Sequence, residues 1–230
     1  MMVTGPSCAA GPANFRHSMG MPTVRGVSPA EGRVLVGVTV AGLVLSAIAP
    51  KSYGTWALEV IWVLAGLPLV LFYRKRFPLT RLLCWLLVFH ALVLCYGGHY
   101  TYAETPLGAW FQEWLGTSRN HYDRFAHVVQ GFVPAIAVRE LLLRLTPLGR
   151  GWTAFLAVCV CATISVGFEL VEWGAALALG GAATDFLGTQ GDIWDTQWDM
   201  FLCVCGALLA LLLLRRVHDR QLDAAVQVRQ

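Results

Sequence analysis

The sequence predicts an all-α, polytopic membrane protein: a bundle of six transmembrane helices with both termini on the cytoplasmic side. Three observations predict it. The 230-residue chain is 57% hydrophobic and 13% charged, where soluble domains carry about 25% charged residues, and its mean hydropathy is +0.59. Its apolar residues gather into six runs, each close to the roughly 20 residues a helix needs to cross a bilayer. Its basic residues fall almost entirely into alternate loops, the asymmetry that sets membrane orientation.

Taken in order, residues 1–32 are rich in Gly, Pro, Ser and Ala and contain no apolar run. They are expected to form a disordered cytoplasmic tail, and they lack the apolar core of a signal peptide. The six-helix domain is expected over 33–215, with runs at 34–50, 54–73, 79–97, 125–145, 152–179 and 198–214. A cytoplasmic tail, 216–230, follows. Pro68 and Pro134 lie within runs, where neighbouring helices can satisfy the freed carbonyls. The fifth run is long and interrupted by glycine, which suits a tilted or kinked span. The loop 98–124 is long for a hairpin and carries Trp110, Phe111 and Trp114, so a short interfacial helix is expected on the outer surface. Tyr100, Tyr102, Trp110, Trp114, Trp173, Trp194 and Trp198 read as belt aromatics at the membrane interfaces.

Orientation follows from the basic residues. Of 17, 14 lie before the first run, between the second and third, around the turn between the fourth and fifth, or after the sixth. Only Lys51, Arg119 and Arg124 lie on the other side. The basic side is cytoplasmic, so the remaining three loops face outward.

The net charge of +3 gives no nucleic-acid signal; the partner the composition implies is membrane lipid, and it specifies no protein partner. Six of the seven cysteines lie in apolar runs and none is spaced CxxC, so they read as small helix fillers rather than zinc ligands. No GxSxG, HExxH, P-loop or dinucleotide fingerprint occurs, and no internal repeat is evident.

The informative polar residues collect at the outer ends of the runs. Asp192, Asp195 and Asp199 are spaced three and four apart and would share one helical face. Acids in a first helical turn also complement the helix dipole, which accounts for one or two of them more easily than for all three. Residues 188–191, Gly-Thr-Gln-Gly, could present backbone N–H groups at that helix start. Asp123 and His127, four apart with Gln130 one turn deeper, suit metal ligation or a proton relay; equally, Asp123 could be a first-turn acid. Glu169 and Glu172 lie inside the fifth run, where an acid costs roughly 2.5–3.5 kcal/mol to insert. They are either functional or a buried polar knot that fixes helix register. His99, Tyr100, Arg119 and Gln190 stand at the same end as candidate substrate contacts, although a solvated loop explains Arg119 as well. Arg139 beside Glu140 reads as an interfacial ion pair.

The segments HYTYAETPLG (99–108), RNHYDRFAHVVQG (119–131), RE (139–140), ELVEW (169–173) and FLGTQGDIWDTQWDM (186–200) resemble the YjdF-like family of bacterial inner-membrane proteins, a domain of unknown function. The resemblance covers roughly residues 34–215 and implies a multi-pass protein of the bacterial plasma membrane; it brings no activity with it. A weaker, architectural likeness is to VanZ-like proteins, at Asp123, His127, Glu169 and Asp199.

The function expected from these residues is that of a membrane enzyme, a hydrolase or transferase acting on a lipid-linked or headgroup substrate from the outer face. A divalent metal held by Asp123, His127, Asp192, Asp195 and Asp199 would polarise a phosphoryl or acyl oxygen, with Glu172 as general base and Glu169 and His127 as the further catalytic candidates. Carboxylate oxygens favour Mg²⁺, Ca²⁺ or Mn²⁺. Two other readings stay open: a proton-coupled transporter using Glu169 and Glu172, and a structural protein whose polar cluster only holds the bundle.

Overall fold

The computed structural model describes residues 24, 26–179 and 189–227, and every regular element among them is helical. The elements are α1 (Pro29–Ser46), α2 (Tyr53–Glu59), α3 (Ile61–Tyr73), α4 (Arg81–Tyr100), a 3-10 turn (Tyr102–Glu104), α5 (Pro106–Leu115), α6 (Tyr122–Leu145), α7 (Arg150–Leu179) and α8 (Asp195–Gln227). Most of the expected N-terminal tail lies outside the described residues. Where description resumes, α1 starts at Pro29, earlier than the apolar run suggested, because the Ser28 hydroxyl accepts a hydrogen bond from the Glu31 amide and caps it. α8 runs on as helix beyond the apolar run, through residues expected to form the C-terminal tail.

Among the described residues four helices, α1, α4, α7 and α8, are long and apolar enough to cross a membrane, and the pair α2 and α3 makes a fifth candidate if counted as one broken span. The second expected span is therefore not one helix: it bends by 43° at Val60. Pro68 does not cause the bend, since it lies within α3. Val60 and Glu59 are instead drawn into the bundle against Gly98 of α4, where an added Cβ would meet Glu59 Cβ at 3.2 Å and Val60 Cγ1 at 3.3 Å. The fourth expected span is α6, 24 residues long but carrying Asp123, Arg124, Arg139, Glu140 and Arg144. It packs against α4, α7 and α8 and buries most of its charged residues. Large apolar side chains such as Trp62, Phe72, Trp152, Leu170 and Leu212 point outward. Polar groups inside and apolar groups outside is the arrangement a lipid solvent selects.

α6 and α8 run side by side in the same direction, connected through α7. Their approach depends on two glycines: a Cβ on Gly131 would lie 1.8 Å from the Cys203 carbonyl oxygen, and one on Gly206 would lie 2.0 Å from that of Val128. Small residues at such crossings let membrane helices touch backbone to backbone. The six described cysteines are free. Cys161 and Cys203 fill this junction, their thiols donating weakly to the carbonyls of Gly131 and Cys161, in keeping with the role of fillers.

At one end of the bundle, rich in arginine, the helices are tied by a buried network. Glu140 accepts from the Thr80 amide at 3.0 Å, the Thr80 hydroxyl at 2.6 Å and Arg144 at 2.8 Å, and contacts His218 Nε2 at 3.0 Å. His218 Nδ1 meets Arg139 at 2.8 Å, and Arg139 donates to Asp219 at 2.5 Å. The expected Arg139–Glu140 pair is thus not formed. Neighbours on a helix point about 100° apart, and each finds its own partners.

Candidate metal centre at the acidic end

At the opposite end, the chain enters α6 through a segment locked by hydrogen bonds. Asn120 Oδ1 accepts from the Tyr122 amide at 3.0 Å and Asn120 Nδ2 donates to the Thr105 carbonyl at 3.0 Å. Gly108 makes room, since a Cβ there would lie 1.8 Å from Asn120 Oδ1. The Gln190 side-chain amide exchanges two 2.9 Å bonds with the Asn120 backbone. Gln190 (φ 48°) and Gly191 (φ 83°) turn the chain just before α8. Asp192 therefore precedes the helix, where its Oδ1 accepts from the Trp194 amide at 2.9 Å. The expected single helical face holds for Asp195 and Asp199 only, because the left-handed turn delays the start of the helix past Asp192.

The i, i+4 spacing on α6 sets Asp123 Oδ1 3.4 Å from His127 Nε2, and Asp199 of α8 approaches the same nitrogen, its Oδ2 3.8 Å away. One ligand atom from each of Asp123, His127 and Asp199 lies within 4.8 Å of the others, and all three residues are buried. Arg119 closes the group from above: its Nη2 is 2.5 Å from Asp195 Oδ1 and 3.4 Å from Asp123 Oδ2, and its Nη1 donates to the Thr189 carbonyl at 3.1 Å. Arg124 pairs with Asp192 at 2.6 Å and lies over the Trp198 ring. Burial, and then the charges of Arg124 and Arg119, hold the His121 imidazole below its usual pKa.

Several buried polar atoms here have no hydrogen-bond partner: His127 Nδ1, Asp199 Oδ1, Glu169 Oε1, Gln130 Nε2 and Arg119 Nε. The buried acids Asp123, Glu169, Asp195 and Asp199 outnumber the buried cation Arg119 and the imidazole of His127. An unpaired charge in a low-dielectric interior is expensive, so the cluster as built has room for a cation. An ion with bonds of about 2.0–2.6 Å keeps its ligands within about twice that distance of one another. The trio meets this condition.

The remaining expected site residues are distributed as follows. Glu169 is buried beside the trio, and Glu172, one turn nearer the acidic end, is half-buried. Asp192 and Asp195 are engaged by arginines. His99 and Tyr100 instead line a groove of about 430 Å³ between α1 and α4, where His99 Nδ1 meets the Ser46 carbonyl at 3.0 Å. A short helix does form in this loop, α5, with Trp110, Phe111 and Trp114 exposed. Tyr102, expected in the aromatic belt, is buried, as is Glu59, which sequence reasoning did not single out. A lone acid near the end of an apolar run reads as interfacial, and only the break at Val60 turns it inward.

Residues 32–220 match the family described as a predicted membrane protein, DUF2238. The chain is 50% identical over 181 residues to the inner membrane protein YjdF of Escherichia coli (strain K12), covering 78% of this chain and 87% of that one. No solved structure matches. The chain belongs to the DUF2238 family of multi-pass membrane proteins.

Proposed function

We propose that this DUF2238 protein crosses the inner membrane six times, both termini cytoplasmic, and is a metal-assisted hydrolase or transferase acting on a lipid-linked or headgroup substrate at the outer face. The basic end would face the cytoplasm, in line with the charge asymmetry, and α6 would be the charged fourth span that brings the total to six, shielded from lipid by α4, α7 and α8. One observation carries the reading: Asp123, His127 and Asp199 offer three ligand atoms within 4.8 Å while buried. The mixed carboxylate and imidazole set suits Mn²⁺ or Zn²⁺, with Mg²⁺ served by the carboxylates.

A bound ion would supply Lewis-acid polarisation of a phosphoryl or acyl oxygen. The chain's own residues do the rest. Glu169, with an oxygen that has no partner, accepts the proton of the attacking hydroxyl. Glu172, the second carboxylate, lies one turn nearer the acidic end and returns a proton to the leaving oxygen as its bond to the phosphoryl or acyl centre breaks. Arg119 fixes Asp123 and Asp195 in place, and Gln190 fixes the loop that carries Arg119.

The test is Mn²⁺ binding to the full chain in lipid nanodiscs, read by electron paramagnetic resonance. Wild type should bind one ion. Asp199→Asn and His127→Ala should weaken binding by more than about 100-fold, beyond the 10–100-fold typical of outer-shell residues, and Asp192→Asn should leave it nearly unchanged. Absence of Mn²⁺ and Zn²⁺ binding to wild type would sink the metal reading and leave the trio as a histidine bridged between two acids.

A further inference from the structure

The break in the second span delivers a carboxyl group into the bundle. Glu59 is 3% exposed and Tyr102, the first residue of the 3-10 turn, is 6% exposed. Neither Glu59 Oε2 nor the Tyr102 hydroxyl has a hydrogen-bond partner. The chain is shaped to place this pair. Gly97 makes space for the tyrosine ring, since a Cβ there would lie 1.6 Å from it, and Gly98 lets Glu59 approach α4. Thr101, between Gly98 and Tyr102, has φ 63° and ψ 141°. This backbone conformation is costly for a β-branched residue and persists where the surroundings impose it.

The groups that act on the Glu59 charge are Tyr102, Asp123 and His127 on α6, and Glu172 on α7; none of these is a lysine or arginine. Burial pushes the Tyr102 phenol well above its usual range, so the hydroxyl keeps its proton at neutral pH. The imidazole of His127 is the one group among these that can carry a positive charge, and burying a carboxylate costs far more than burying the neutral acid.

We propose that Glu59 and Tyr102 form a proton-binding site at the helix break, in which Glu59 is held as a neutral carboxylic acid and gives up its proton when a divalent cation loads into Asp123, His127 and Asp199. The proton site stands on the break, the glycine cradle and the unpartnered oxygens; only its coupling to the cation rests on the metal reading above. The logic is charge balance. The acid-rich interior tolerates either a proton on Glu59 or two positive charges at the trio, and reciprocal linkage then makes each ligand weaken the other.

Difference infrared spectroscopy on the full chain in nanodiscs tests this directly. Wild type at neutral pH should show a protonated-carboxyl C=O stretch that is lost in Glu59→Gln and shifted in Tyr102→Phe, with Glu59→Gln as heat-stable as wild type because glutamine mimics the neutral acid. Adding Mn²⁺ should diminish the band and release protons into weakly buffered medium, the release falling in Glu59→Gln. A wild-type spectrum without that band, or a band that survives Glu59→Gln, overturns the proton site. A band that Mn²⁺ leaves unchanged while the ion binds overturns the coupling. Failure of Mn²⁺ to bind at all removes the metal reading and the coupling, and the band alone then decides the proton site.

Discussion

The two ends of the α6–α8 pair each bury acids with a histidine, yet they are finished differently. At the basic end Glu140 has both oxygens engaged, His218 uses both ring nitrogens, and Arg139 and Arg144 each meet a carboxylate, with Arg144 Nε the one atom of these four side chains left buried without a partner. At the acidic end His127, Asp199 and Glu169 each keep a buried polar atom without a partner. Buried polar groups in folded proteins are nearly always satisfied. The Glu140 network closes on itself in all but one nitrogen, whereas the acidic cluster leaves several acid and imidazole atoms with room for a further partner. The comparison separates a structural knot from a candidate site by counting partners, where composition alone cannot.

Removing one carboxylate at each end gives the sharpest contrast. Glu140→Ala should destabilise the protein by about 3–5 kcal/mol, the range for breaking a buried ion pair, because Arg144 and His218 are left uncompensated; unfolding in mild detergent reads this. Asp199→Asn should change stability by less than about 1 kcal/mol or raise it, since it removes one of several crowded like charges. Equal losses at the two ends would dissolve the distinction.

A smaller effect is expected at the helix crossing between them. Gly206→Ala places a methyl against the Val128 carbonyl and should cost about 1–3 kcal/mol of overpacking. It should also weaken Mn²⁺ binding by parting Asp199 from His127, although it touches neither. Binding preserved with stability lost would show that the trio does not depend on the crossing.

The smallest effect concerns pH. The folded His121 has its pKa below the unfolded value, so the unfolded chain binds the proton more readily. Its contribution is fully present above the unfolded pKa of about 6.5 and is lost as pH falls below it. His121→Gln should therefore flatten the acid side of the stability profile slightly, while leaving the neutral side unchanged.

Much of this was legible in the chain. Asp123 and His127 four apart, and Asp195 and Asp199 four apart, identify two faces from spacing alone, and the distribution of basic residues separates the two ends. What was not legible depends on contacts far apart in sequence. Thr80 caps α4, Glu140 lies on α6 and His218 on α8, and no local pattern announces that they meet. The break at Val60 has no proline or glycine to signal it; it follows from how α2 packs on Gly98. The removal of Asp192 from the helix was readable in part, since Gly191 invites the left-handed turn that delays α8.

The glycine crossing of Gly131 and Gly206 has one more consequence. It lies between the two clusters on a pair of parallel rods, as a pivot lies between the jaws and handles of a caliper. The closed network at the basic end holds the handles at a fixed spread, and with backbones touching at the pivot, that spread sets the gap between His127 and Asp199. On this geometry the more tightly bonded end gauges the other, and a change of partner at His218 or Asp219 would be felt at the far jaws as a change in the separation of His127 and Asp199.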